Sequence, residues 1–95
     1  MTLVYYYVPE DQDDPEYPNV FGVMVGKEHI RLNHIIDNFP LNGTYLFRFK
    51  AVYDNVTVWL DFNDLNMKVP MLKNKVYVKA TRISWESENS LNYLR

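Results

Sequence analysis

Apolar and polar residues alternate strictly over residues 55–62, where Val56, Val58, Leu60 and Phe62 interleave with Asn55, Thr57, Trp59 and Asp61. A period of two predicts a β-strand with one apolar and one polar face. Trp59 falls on the polar side, so it is either covered by another part of the chain or open to a partner. The same period predicts strands over 45–52, with Tyr45, Phe47, Phe49 and Ala51 on one face, and over 75–83, with Val76, Val78 and Ala80 on one face. Residues 3–8 and 20–25 are rich in Tyr, Val and Phe and read as two further strands. The acidic, proline-bearing stretch 10–18 is a loop that joins them as a hairpin. Leu32, Ile35, Ile36 and Phe39 recur at helical spacing, predicting one amphipathic helix over about 31–38 that Pro40 and Gly43 close. Residues 53–55 form a tight turn and 63–68 a short turn or a single helical turn. The polar tail, with Leu91 and Leu94 three apart, reads as a frayed helix or an unstructured segment.

The order strand, strand, helix, strand, strand, strand indicates an α+β layer, with a helix across one face of a sheet. The expected fold is a ubiquitin-like β-grasp roll with a five-stranded mixed sheet and one main helix. Residues 1–84 form the domain and 85–95 a polar C-terminal tail.

Composition narrows the function. The chain has 95 residues, 47% of them hydrophobic and 16% aromatic, which is enough for one small packed core. A net charge of -2 leaves no basic excess to neutralise phosphates, so nucleic acid is not an expected partner. The absence of cysteine excludes disulfides and thiolate metal sites and fits a reducing, cytoplasmic setting. No apolar run approaches the roughly 20 residues of a membrane helix, so no membrane partner is expected. The first residues carry no basic segment and read as a strand rather than a signal peptide.

No residue set supports catalysis. His29 and His34 are five apart, whereas a helical metal pair needs four, and they read as surface histidines. The serines cluster in the last dozen residues, with no base beside them. Gly22, Gly26 and Gly43 are too scattered for a phosphate loop. The carboxylates Glu10, Asp11, Asp13, Asp14 and Glu16 lack the order of a calcium loop and read as a solvated hairpin, or as a patch that steers a basic partner. Lys68, Lys73, Lys75, Lys79 and Arg82 form a basic stripe that reads as a solvated face. The expectation is therefore a non-enzyme with no cofactor and no metal.

Sheet edges remain. In a β-grasp of this chain order the second and fourth strands are the outer ones, and an outer strand invites pairing. Residues 20–25 carry no charge and 56–62 carry only Asp61. Two readings stay open on pattern alone: these edges are covered by loops or the tail, or they dock onto other copies. Contact between two different edges is heterologous and, if it does not close, builds an open filament.

These residues resemble the DIX domain of the axin and dishevelled family, from Leu3 to about Ser84. The strongest piece is Gly-Thr-Tyr-Leu-Phe-Arg-Phe-Lys at 43–50, similar to that family's aromatic third strand. Val58-Trp59-Leu60-Asp61, followed by Val69-Pro70, and Ile30-Arg31-Leu32 at the helix entry add to it in order and spacing. The resemblance implies head-to-tail self-association through the second and fourth strands, in scaffolds of Wnt/β-catenin signalling. It implies that Phe21 is the plug, that Val58 and Trp59 receive it, and that Ile35 stands where the family has a helix phenylalanine at the interface. The partner is then the chain itself or another DIX domain. Phe21 replaces the usual tyrosine, the 10–18 loop is longer than usual, and the apolar Trp59 leans towards axin. Two alternatives are a monomeric ubiquitin-like protein-binding adaptor and a PB1-type acidic/basic head-to-tail module.

Overall fold

The computed structural model describes residues 1–86. Five strands, β1 (Thr2–Tyr7), β2 (Asn19–Val23), β3 (Thr44–Tyr53), β4 (Val56–Asp61) and β5 (Val76–Ser84), form one sheet in the order β2-β1-β5-β3-β4. The β1–β5 pair is parallel and the others antiparallel, as the mixed β-grasp predicts. Helix α1 (Leu32–Asn38) lies on one face only. The second strand ends at Val23, two residues before its expected limit. Val25 leaves the ladder and its carbonyl instead accepts a hydrogen bond from the buried Thr2 hydroxyl at 2.7 Å. The loop over 10–18 opens with one 3₁₀ turn, Pro9–Asp11. Of the expected tail, residues 87–95 lie outside the described residues.

The alternation read from the sequence is the alternation of burial. Val4, Tyr6 and Val8 of β1 and its extension, Phe47, Phe49 and Ala51 of β3, and Val76, Val78 and Ala80 of β5 face the helix and are buried. Leu32 and Ile35 of α1 pack down on them with Ile30 and Val69. Phe39 ends the helix, held extended by the proline that follows. Its ring meets Tyr6, Phe21, Tyr45 and Phe47 edge-on, at centroid distances of 5.0, 5.9, 4.8 and 4.9 Å. Edge-to-face pairs of this kind add to the burial itself.

Seven residues of helix are too few to stand alone in water. The segment after β4 supplies what the helix lacks. Leu32 N–H donates to the Met67 carbonyl and Asn33 N–H to the Leu65 carbonyl, each at 3.0 Å. Two of the orphan amides of the first turn are thereby satisfied. His34 Nδ1 accepts the Arg31 N–H at 3.0 Å, closing the helix entry from within.

Two hairpins rest on left-handed pairs. Asp54 and Asn55 have φ of 50° and 62°, and Lys73 and Asn74 have 51° and 64°. Positive φ at both central residues is the type I′ geometry that matches strand twist. Gly43, at φ 122°, passes so close to the Ser84 carbonyl that a Cβ would sit 2.6 Å from it.

Candidate functional site

Strands β2 and β4 each have one strand neighbour, so the sheet ends on two edges with nothing paired outside them among the described residues. Val4 pairs with Phe21 on one side and Val76 on the other, while Ala51 pairs with Val58. Extending the β3–β5 register from Phe49↔Val78 sets Ala51 beside Val76. One row therefore runs Phe21, Val4, Val76, Ala51, Val58 on the helix face. The next row runs Val20, Tyr5, Tyr77, Lys50, Trp59 on the opposite face. Phe21 and Val58 stand at the two ends of one row, and Val20 and Trp59 at the two ends of the other.

Among the described residues no helix covers that opposite face. Tyr5 stacks on Tyr77 at 5.4 Å, Lys75 Nζ lies 5.4 Å over the Tyr5 ring, and Lys50 Nζ lies 5.7 Å over the Tyr77 ring. Trp59 lies beside Tyr7 at 6.0 Å and remains 36% exposed. A shallow notch of about 40 Å³ separates these rings from Pro15 and Pro18. Both readings of this tryptophan thus hold in part: the chain shelters most of the ring, and the rest is open at the edge of the sheet. Burial pushes the Tyr6 and Tyr7 phenols up, with the Asp13 carboxylate adding to the effect on Tyr6.

The acidic loop is engaged within the chain. Arg82 donates through Nη1 and Nη2 to both Asp11 carboxylate oxygens at 2.8 Å, and its backbone N–H donates to Glu10 Oε1 at 2.7 Å. Trp85 stacks on the guanidinium at 3.7 Å, and Arg82 Nε donates to the Tyr45 hydroxyl at 3.1 Å. The Arg82 side chain is only 8% exposed. Its guanidinium, hydrogen-bonded to Asp11, holds that carboxyl below the usual carboxylate range. Asp13 Oδ2 accepts from Val8 N–H and Asn19 Nδ2, both at 3.0 Å. These contacts clamp the hairpin to the end of β5, and they occupy Glu10, Asp11 and Asp13 before any partner arrives.

A family model described as DIX domain matches residues 1–80. The chain belongs to the DIX domain family. No match is found among curated proteins. Members of this family are protein-interaction modules rather than catalysts, and they serve self-association and signalling scaffolds by binding other DIX domains. Among the described residues of this DIX domain no helix is long and apolar enough to cross a membrane.

The four residues singled out in the sequence occupy unlike environments in this DIX domain. Val58 and Trp59 lie together on the β4 edge but point to opposite faces of the sheet, so they flank the edge from both sides. Phe21 lies on the β2 edge with its ring half-buried against Tyr6 and Phe39. Ile35 is 0% exposed. It is a core residue: α1 turns that side chain into the sheet, and no neighbouring molecule could touch it. The family resemblance implies an interface position for Ile35 and its helical spacing suits the core equally well; the packing of α1 decides for the core. Val20 stands on the β2 edge and Met24 just past its end, exposed at 52% and 84%; in the sequence they are marked only as members of the charge-free run 20–25.

Proposed function

We propose that this DIX domain assembles head to tail with copies of itself, the β2 edge of one molecule docking on the β4 edge of the next. The observation that carries the reading is the row geometry. Strands β1, β5 and β4 run one way and β2 and β3 the other. A second copy set beside the first in the same orientation would bring its β2 antiparallel to β4. Phe21 of one molecule would then meet Val58 of the other on the helix face, and Val20 would meet Trp59 on the opposite face. Because the two edges differ, the contact is heterologous and repeats, giving oligomers or filaments. Each junction is a strand pair and a few side chains, on the order of 1,000 Å² or less, so assembly is weak singly and steep in concentration.

The finer setting is a scaffold of Wnt/β-catenin signalling in the cytoplasm, axin-like in having an apolar residue at Trp59. A PB1-type contact is less well supported, because Arg82 from the basic stripe and Glu10 and Asp11 from the acidic loop satisfy one another within the chain. A monomeric adaptor would leave both edges without an occupant of matching shape.

The test is complementation. Val20→Asp alters only the β2 edge and Val56→Asp only the β4 edge, and both residues are exposed. Each variant alone stays monomeric by sedimentation velocity. Mixed in equal amounts, they form heterodimers through the two intact edges and nothing longer. Assembly of either variant alone to the wild-type extent, or a wild-type chain that stays monomeric at millimolar concentration, refutes the proposal.

A further inference from the structure

Strand β4 is shorter than β3, and the mismatch leaves a second free edge. It ends at Asp61, opposite Arg48, while β3 continues back to Thr44. The type I′ turn at Asp54 and Asn55 makes Tyr53↔Val56 a pair that exchanges both backbone hydrogen bonds. Alternation then directs the N–H and C=O of Tyr53, Ala51 and Phe49 towards β4. The same alternation directs those of Phe47, and of Tyr45 one step on, to the same side; the Arg48↔Asp61 pair engages the Phe47 carbonyl through the Phe62 N–H, so beyond it the Phe47 N–H and both Tyr45 groups have no β4 partner. No backbone hydrogen bond outside the strand ladders reaches the Phe47 N–H or the Tyr45 groups among the described residues.

These groups face a groove of about 500 Å³ between β3 and α1. Its apolar lining includes Phe39, Phe47, Ile36, Leu41 and Leu65, of which the last three are exposed. Asn33 of α1 also lines it, and the buried Asn33 Oδ1 has no hydrogen-bond partner among the described residues. A buried acceptor left unmatched is costly and calls for a donor. Asp37 stands in the wall and Asp64 beside Leu65, neither with a cation within salt-bridge distance among the described residues.

We propose that the groove between α1 and the uncovered start of β3 binds an extended peptide segment of a partner protein, apolar at its centre and basic at its ends. The segment pairs with the Phe47 N–H and with Tyr45 as an added strand, in the mode by which sheet edges take up peptides. Alternate side chains enter between Phe39, Phe47 and Leu65. A donor on the segment satisfies Asn33 Oδ1, and its basic ends meet Asp37 and Asp64. An acidic segment is opposed by the same carboxylates, which disfavours the 10–18 loop of another copy as the occupant. The site uses neither the β2 nor the β4 edge, so it stands or falls independently of head-to-tail assembly.

The experiment titrates the ¹⁵N-labelled chain, as wild type and as Val20→Asp, with the capped peptide Arg-Thr-Val-Thr-Val-Thr-Arg. Its arginines and valines share one face of an extended strand. Saturable shifts are expected at the Tyr45 and Phe47 amides and at the Asn33 side-chain amide. Asp37→Asn weakens binding about two- to fivefold, the range of an exposed ion pair. Of two peptides N-methylated on alternate sets of amides, the one whose β3-facing N–H groups are blocked loses binding about tenfold or more. Replacing both arginines by glutamate abolishes it. Absence of saturable shifts, equal binding of both N-methylated peptides and the parent, or shifts confined to β2 and β4 would overturn the proposal. So would groove shifts that grow with protein concentration in the absence of peptide, which would make a second copy the occupant.

Discussion

Val20→Asp is the sharpest probe of the proposed junction because it separates assembly from folding. Val20 is 52% exposed and lies on the face away from the helix, paired with Tyr5. Covering the exposed half of a valine stabilises a contact by about 1 kcal/mol, half of the roughly 2 kcal/mol for a whole side chain. An aspartate forced against Trp59 of the neighbour is separated by that ring from Lys50, whose Nζ lies over Tyr77, and its incomplete solvation costs roughly 2 kcal/mol or more. The sum, about 3 kcal/mol, raises the dissociation constant of each junction roughly a hundredfold. The fold loses far less, because the side chain stays in water in the single molecule. The change in strand preference on an edge is at most about 1 kcal/mol. Sedimentation velocity over a wide concentration range measures the first effect, and urea unfolding followed by circular dichroism measures the second. A variant that assembles at the wild-type concentration while keeping wild-type stability would show that the Val20 row is not at the junction. Phe21→Asp cannot make this distinction, since the Phe21 ring is also a member of the Tyr6–Phe39 aromatic cluster.

Other outcomes follow from single residues. Phe39→Ala empties the centre of the aromatic cluster around four rings and should cost about 3 kcal/mol or more in urea unfolding. Gly43→Ala places a Cβ 2.6 Å from the Ser84 carbonyl at φ 122°, and the loss should be about 1–3 kcal/mol by the same measurement. The Asp11–Arg82 clamp makes stability depend on acid. The folded-state pKa of Asp11 is depressed, so the contribution is fully present above the unfolded value of about 4 and is lost as pH falls through the lower folded value. Thermal melts at decreasing pH should show this loss, and Arg82→Met should flatten it while increasing hydrogen exchange at residues 10–13.

The period-two alternation of β3 and β5 determined which of their side chains enter the core, since a strand shows its two faces to different surroundings. Chain order together with the single helical stretch determined that β2 and β4 are the outer strands. The charge-free run at 20–25 marked one edge as undefended. Local pattern had no means to place Ile35 in the core, because helical spacing says that a face is apolar but not what covers it. Nor could it show that Trp59 is partly sheltered by Tyr7, or that Arg82 binds Asp11 from 71 residues away. The rows that align Phe21 with Val58 and Val20 with Trp59 depend on the register of four strand pairs, which is a property of the assembled sheet. The groove beside β3 has the same origin. It exists because β4 ends before β3 does and the chain then turns to cap α1, a difference in length that becomes a surface only when the two strands are paired.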